Sequence, residues 1–172
     1  MQVKKHSNIS KEVIINYCVT LCHNVLDMRH SFRCGCPVTT AIDVLGDKWT
    51  LVIIKQMLLQ GKQTFKDFTE SEEAIATNIL SSRMKKLLDL GLVLKTKLPS
   101  NHKTIYYHLT EKGISLAPII IEMVSWGNTH LREFNPSMIS SDELEFIVSN
   151  KEAFIENVIT NYKKNINALL CA

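Results

Sequence analysis

Between Ile75 and Leu109 the spacing of apolar residues changes period, and this change limits the possible folds more than any other feature of the chain. Leu80, Met84 and Leu87 recur at the three- and four-residue spacing of a helix, predicted to run from Ile75 to Leu90. Gly91 suits the left-handed position that ends such a helix. From there the alternation is that of strands. Leu92, Leu94, Thr96 and Leu98 alternate with Val93, Lys95 and Lys97; Ile105, Tyr107 and Leu109 alternate with Tyr106 and His108. The polar, basic turn Pro99-Ser100-Asn101-His102-Lys103 lies between them, so the helix leads directly into a hairpin. Only 6 Gly and 4 Pro occur in 172 residues, too few turn formers for a many-stranded sandwich or barrel. The rest of the chain is therefore expected to be helical.

The flanking segments agree. Lys11 to Met28 carries Ile14, Tyr17, Cys18, Leu21, Val25 and Met28 on one helical face. A basic connector spans residues 29–35. Pro37 suits a first helical position and places Cys36 at the N-cap of a helix through Ala41, Ile42, Val44 and Leu45. After Gly46-Asp47, Lys48 to Gln60 is apolar on most sides, the mark of a buried central helix, and Gly61 closes it. Thr64 opens a short helix from Phe65. Beyond the hairpin, Thr110 caps a helix kinked or divided at Pro118 that carries Ile120, Ile121, Val124, Trp126 and Leu131. Ser141 caps a last helix with an apolar stripe from Leu144 to Leu169. Such a stripe needs a covering surface; a coiled dimerisation arm, or packing back over the same subunit, would supply one.

Helix, helix, short helix, turn, helix, hairpin is the order of a winged helix-turn-helix. The expected fold class is mainly α with a small β-hairpin (α+β), with extra helices at both ends. The helix before the hairpin is the one that can enter a DNA major groove, which is about 12 Å wide and admits one helix. Asn78, Ser81, Ser82, Lys85 and Asp89 share its outer face, with Thr77 and Lys86 at the margins. Small hydroxyl and amide groups with a lysine suit base edges and phosphates, whereas a merely solvated face would carry more Glu–Lys pairs. Arg83, at the boundary of the inner face, either reaches a phosphate or pairs with a carboxylate inside the fold. His102 and Lys103 at the turn are placed to touch phosphate or the minor groove, unless the turn is simply solvated. Charge follows the same division. Residues 76–103 hold six basic side chains against Asp89 alone, and residues 131–172 hold four against six acidic ones, although the net charge is only +3. A polyanion would meet the middle of the chain.

Other classes are disfavoured. There is no Gly-rich phosphate loop, and no Ser/His/Asp or paired-carboxylate pattern with usable spacing, so neither an enzyme nor a cofactor is expected. No apolar run is long enough to span a membrane and no cleavable leader pattern is present, so a cytoplasmic location is expected. Five cysteines form no even, regular framework, which suggests reduced thiols. Cys18, Cys22, Cys34 and Cys36, with His23 and His30, lack the Cys-x₂-Cys spacing of a zinc knuckle, and no metal is assigned. Cys36 is the candidate reactive thiol. An N-cap position at the positive end of a helix dipole, near Arg33, would favour its thiolate; a thiol that merely caps the helix is the alternative. Cys34 is a candidate resolving partner.

One set of motifs runs in order from Cys36 to Leu131. It comprises Cys36-Pro37-Val38, Gly46-Asp47-Lys48-Trp49-Thr50-Leu51, Phe65-x-x-Phe68, Ile75-x-x-x-x-Leu80-x-x-Arg83-Met84-x-x-Leu87, Gly91-Leu92-Val93, Tyr107-x-Leu109-Thr110-Glu111-x-Gly113 and Trp126-Gly127. The set resembles the HxlR-type winged helix-turn-helix regulators of the MarR-like superfamily. The resemblance implies a bacterial or archaeal transcription regulator that binds DNA as a homodimer paired through its terminal helices. In several such proteins a cysteine before the first Pro senses electrophiles, quinones, aldehydes or disulfide stress. Ala76 departs from the family's usual capping serine, so the recognition helix is expected to start at Thr77. Thr64 stands where a basic residue is frequent.

The expected organisation is an N-terminal helical extension (1–33), the winged domain (34–131) and a C-terminal helical extension for dimerisation (132–172). The expected function is a homodimeric repressor on palindromic double-stranded DNA, switched through Cys36 by oxidation or an electrophile. Two alternatives stay open: a winged-helix protein-interaction module that does not read DNA, and a regulator that senses a small ligand without using cysteine.

Overall fold

The computed structural model describes residues 32–99, 101–138 and 141–170. The expected helix Lys11–Met28, with Cys18, Cys22, His23 and His30, and the distal Cys171 lie outside the described residues. The chain divides into two compact units, Met1–Lys48 and Trp49–Ala172. In the first, helix α1 (Pro37–Leu45) has Pro37 in its first turn and Cys36 as an extended N-cap, while the Gly46 amide donates to the Ile42 carbonyl at 2.7 Å.

Helix α2 (Lys48–Gln60) is the buried centre of the second unit. Ile53, Ile54 and Met57 on it are wholly inaccessible, as are Phe68, Leu80, Leu87 and Val93 from the elements that follow. Each such side chain contributes about 1.5–3 kcal/mol on leaving water. Helix α3 (Phe65–Thr69) begins with a capping box. The Thr64 hydroxyl accepts from the Asp67 amide, and the Asp67 carboxylate accepts from the amides of Thr64 (2.8 Å) and Gln63 (3.0 Å). Burial raises the Asp67 pKa, but these bonds and the nearby Lys62 outweigh it and hold the carboxyl below its ordinary value.

The connector to helix α4 (Thr77–Asp89) is pinned to α2 through Glu73. Its carboxylate accepts from buried Gln56 at 2.6 Å and pairs with Lys55. Next to it, Ala74 takes a left-handed backbone (φ 49°) that turns the chain into α4. Ala76 is the N-cap and contributes no side-chain bond, so the helix starts at Thr77 as expected. Gly91, at φ 65°, ends it.

Strands β1 (Val93–Leu98) and β2 (Asn101–Leu109) form the antiparallel hairpin, and here the structure corrects the sequence reading. Leu98 pairs with Asn101, which leaves two residues in the turn, and His102 and Lys103 belong to β2. A bulge between Thr96 and Leu98 absorbs the difference: the Asn101 side-chain oxygen accepts from the amides of Lys103 (3.2 Å) and Thr104 (3.3 Å). The bulge also breaks the alternation. Val93 and Leu98 are buried while Leu94 is 53% exposed. His108 is only 8% exposed, and its Nε2 lies 3.1 Å from the Thr96 hydroxyl, which compensates the ring for lost water. Desolvation keeps its pKa below the ordinary value.

Helix α5 (Glu111–Ile114) is capped by Thr110, whose hydroxyl accepts from the Gly113 amide. Helix α6 (Ala117–His130) carries Pro118 in its first turn, so the chain is divided here, not bent within one helix. The single expected last helix is two, α7 (Ser141–Ser149) and α8 (Lys151–Leu170). Part of their apolar stripe is covered within the chain, while Phe154, Ile155, Val158 and Ile159 stay half-buried. Leu144, Tyr162 and Ile166 are buried in their own subunit, and the Tyr162 hydroxyl accepts from the Leu109 amide at 2.7 Å. Among the described residues no helix is long and apolar enough to cross a membrane.

Candidate nucleic-acid interface

Helix α4 is anchored by Leu80, Met84 and Leu87, which turns Thr77, Asn78, Ser81, Ser82, Lys85 and Asp89 outward; all six are exposed. Arg83 and Lys86 are half-buried at the margins of that face. Thr77 and Asn78 sit at the amino end, where the helix dipole favours an anionic contact. Thirteen residues give α4 a length of about 20 Å, enough to follow a groove across several base pairs.

Beside it the hairpin builds a second wall. Lys95 pairs across the strands with Tyr107, and both face a groove of about 410 Å³ shared with Phe65, Ser81 and Lys85. Burial raises the Tyr107 phenol above its ordinary pKa, so it remains a neutral hydroxyl. A second hollow of about 670 Å³ opens between α3 and β2, bordered by Thr64, Lys66, Lys103, Thr104 and Tyr106. Exposed His102 and Lys103 thus lie along the strand and not on a loop tip. The hairpin is seated on the helices by the Tyr107 amide, which donates to the Gln63 carbonyl at 2.7 Å, and by a bridge between Thr64 and Tyr106. Sequence reasoning missed Lys66, Lys95 and Tyr107. The signal was the cross-strand register, since the expected turn Pro99–Lys103 already sets Lys95 opposite Tyr107.

Two further surfaces stand out. On α6, Trp126 (58% exposed) and Met123 (52%) join Pro118, Ile119, Gly127 and Leu131 around a shallow, almost wholly apolar groove of about 470 Å³. Trp126 is therefore not part of the core. At the start of α1, Cys36 is half-buried and Cys34 exposed, neither in a disulfide. The Arg33 guanidinium binds Asp43, Nε to Oδ1 at 2.6 Å, so the support for a Cys36 thiolate expected from Arg33 is diverted to a carboxylate. The helix dipole is what remains of that argument.

The arrangement agrees with the comparisons. The model of the HxlR-like helix-turn-helix family matches residues 44–135. The HTH-type transcriptional regulator YodB of Bacillus subtilis (strain 168) is 34% identical over 94 residues, 54% of this chain and 83% of YodB. The solved structure of PA1607 superposes with a TM-score of 0.55 at 30% identity, covering 63% of this chain and 72% of that one. The redox regulator HypR in its reduced form superposes with a TM-score of 0.50 at 30% identity, covering 56% of this chain and 97% of HypR. With an exposed polar helix packed beside a basic hairpin, and a family match over more than half its length, the chain belongs to the HxlR-like helix-turn-helix family of transcriptional regulators.

Proposed function

We propose that this chain is a homodimeric repressor that acts in the cytoplasm on a palindromic DNA site and is switched by chemistry at Cys36. The observation that carries the DNA reading is the outer face of α4, polar and open, next to a groove rimmed by Lys85 and Lys95. Asn78, Ser81 and Ser82 are the base-edge readers, while Thr77, Arg83, Lys85, Lys86, His102 and Lys103 hold phosphates or the flanking minor groove. Two copies must set their α4 helices about 34 Å apart, one turn of DNA. The apolar face of α6 supports pairing between copies, since a patch of that kind is normally covered. Residues 132–172 then serve as a brace for the winged domain.

The switch rests on the position of Cys36 at the start of α1, with a second thiol at Cys34, and on the similarity to HypR, a redox regulator. Addition of the Cys36 thiol across the N=N bond of diamide, followed by attack of a second thiol that releases the hydrazine, would give a disulfide that alters the spacing of the two α4 helices; a quinone would instead add to the Cys36 thiolate. A gel shift on the DNA upstream of the protein's own gene, with and without diamide or a quinone, tests both parts. Binding lost on oxidation in wild type, and kept in Cys36→Ser, supports the switch. Binding indifferent to oxidant discards the switch and keeps the regulator. No binding to any duplex favours the protein-interaction module. A groove of about 430 Å³ between the end of α2 and α8, bordered by Gln60, Gln63, Phe154 and Asn161, favours a second reading in which a neutral small ligand is sensed. A response that survives Cys36→Ser belongs to it.

A further inference from the structure

The outer edge of β2 presents an amide at every second residue. At Tyr107 that amide is taken by the Gln63 carbonyl, inside the segment shared with the family. At Leu109 it is taken by the Tyr162 hydroxyl at 2.7 Å, from a helix outside that segment. Both partners of this second bond are buried, Leu109 and Tyr162 each at 5% exposure. Without the hydroxyl, a desolvated amide at the base of the hairpin would have no acceptor in its place. Burial also pushes the Tyr162 phenol up to about 12, so it is a neutral hydroxyl at any working pH.

Helix α8 is tied down on either side of this bond. Lys163 pairs with Glu111 of α5 at 2.8 Å, and at the other end Lys151 pairs with Glu122 of α6 at 2.9 Å. Its 20 residues, about 30 Å of helix, therefore reach from α6 to the hairpin. Two residue pairs beyond Leu109 along the ladder stands Lys95 opposite Tyr107, which faces the groove beside α4.

We infer that Tyr162 is a positioning residue for DNA binding: its hydroxyl fixes the outer edge of β2 at Leu109, and through it α8 sets the angle at which the hairpin presents Lys95 and Lys103. This rests on the DNA-binding reading above, and the experiment separates the two. In the full chain, Tyr162→Phe keeps the ring and removes the acceptor. Amide exchange at Leu109 is expected to quicken at least tenfold. Binding to a random-sequence duplex of about three helical turns, followed by anisotropy over a salt series, is expected to lose about 0.9 from its log–log slope for each phosphate contact the hairpin gives up. A loss of stability alone would leave the slope of the folded protein unchanged. Lys163→Ala, which cuts the neighbouring ion pair and leaves the hydroxyl, is expected to keep the wild-type slope. If Tyr162→Phe does not fold, 3-fluorotyrosine at the same position weakens the acceptor and should move exchange and slope in the same direction. Faster exchange with an unchanged slope overturns the inference, as does unchanged exchange. A wild-type chain that binds no duplex overturns the DNA-binding reading instead, while exchange at Leu109 still reports on the bond.

Discussion

Replacing Gly113 by alanine sets two effects against each other, and the structure says which is larger. Gly113 lies in α5, and alanine is the better helix former by about 1 kcal/mol, so propensity alone predicts stabilisation. A Cβ on Gly113, however, would stand 2.2 Å from the Leu92 carbonyl oxygen and 2.9 Å from a Leu109 methyl. The first contact is about 1 Å too close, and it is with backbone, which no side-chain rotation relieves. That carbonyl also accepts from the Thr110 amide at 3.0 Å and holds the start of α5 against the hairpin. Moving it gives up a hydrogen bond worth about 1 kcal/mol, and the displacement adds about 1–3 kcal/mol of overpacking strain. The net expectation is a destabilisation of about 2 kcal/mol, or roughly 6 °C in Tm for a chain of this size. Urea and thermal unfolding of Gly113→Ala against wild type measure it. A Tm equal to or above wild type would show that the hairpin and α5 are not packed as described, and the reason for the glycine in Tyr107-x-Leu109-Thr110-Glu111-x-Gly113 would fall with it.

Other expectations follow from single contacts. Lys85→Ala and Lys95→Ala should each lower the salt slope of DNA binding by about 0.9, read by anisotropy between about 50 and 200 mM salt; an unchanged slope removes that lysine from the interface. Asn78→Ala should weaken binding to the specific site by about 1–3 kcal/mol and leave random-duplex binding unaltered; equal losses on both would make Asn78 a phosphate contact. His108 is held below its ordinary pKa of 6.5 by desolvation, so the unfolded chain binds the proton first; its stabilisation is present above that value and is lost as pH falls through it. The urea midpoint should drop between about pH 8 and 5 and the drop should shrink in His108→Gln; equal drops in both would rule His108 out as the source. Met123→Lys, on the apolar face of α6, should turn a dimer into a monomer by sedimentation, whereas an unchanged mass would place the pairing surface elsewhere.

Much of the helical frame was legible because each helix has a local signal. Pro37 starts α1, Thr64 and Asp67 cap each other, Gly61 and Gly91 stop α2 and α4, and α2 is apolar on too many sides to lie at the surface. The polar face of α4 was legible for the same reason: a helix of period 3.6 assigns faces without knowing its neighbours. A hairpin does not. Its exposure depends on what packs against it: Leu94 and His108 are cross-strand partners on one face, yet Leu94 is exposed and His108 buried, which no alternation within a strand reveals. Lys95 and Tyr107 were missed for a related reason: the expected turn sets them opposite each other, but nothing local says that they face α4.

The last forty residues show a different limit. An apolar stripe states that a face will be covered and says nothing of what covers it. Read alone, Leu144 to Leu169 fits a coiled arm, because Tyr162 and Ile166 look like two more positions in a seam. What seats Tyr162 on its own chain is an unmet requirement elsewhere. The outer amide of Leu109 needs an acceptor, and a tyrosine at the right height on α8 brings one together with an apolar ring. A leucine at 162 would have satisfied the stripe equally well but not the strand edge. The hydroxyl is therefore the sequence feature that ties α8 to the hairpin, and its meaning emerges only when β2 is known to have an edge amide at that residue.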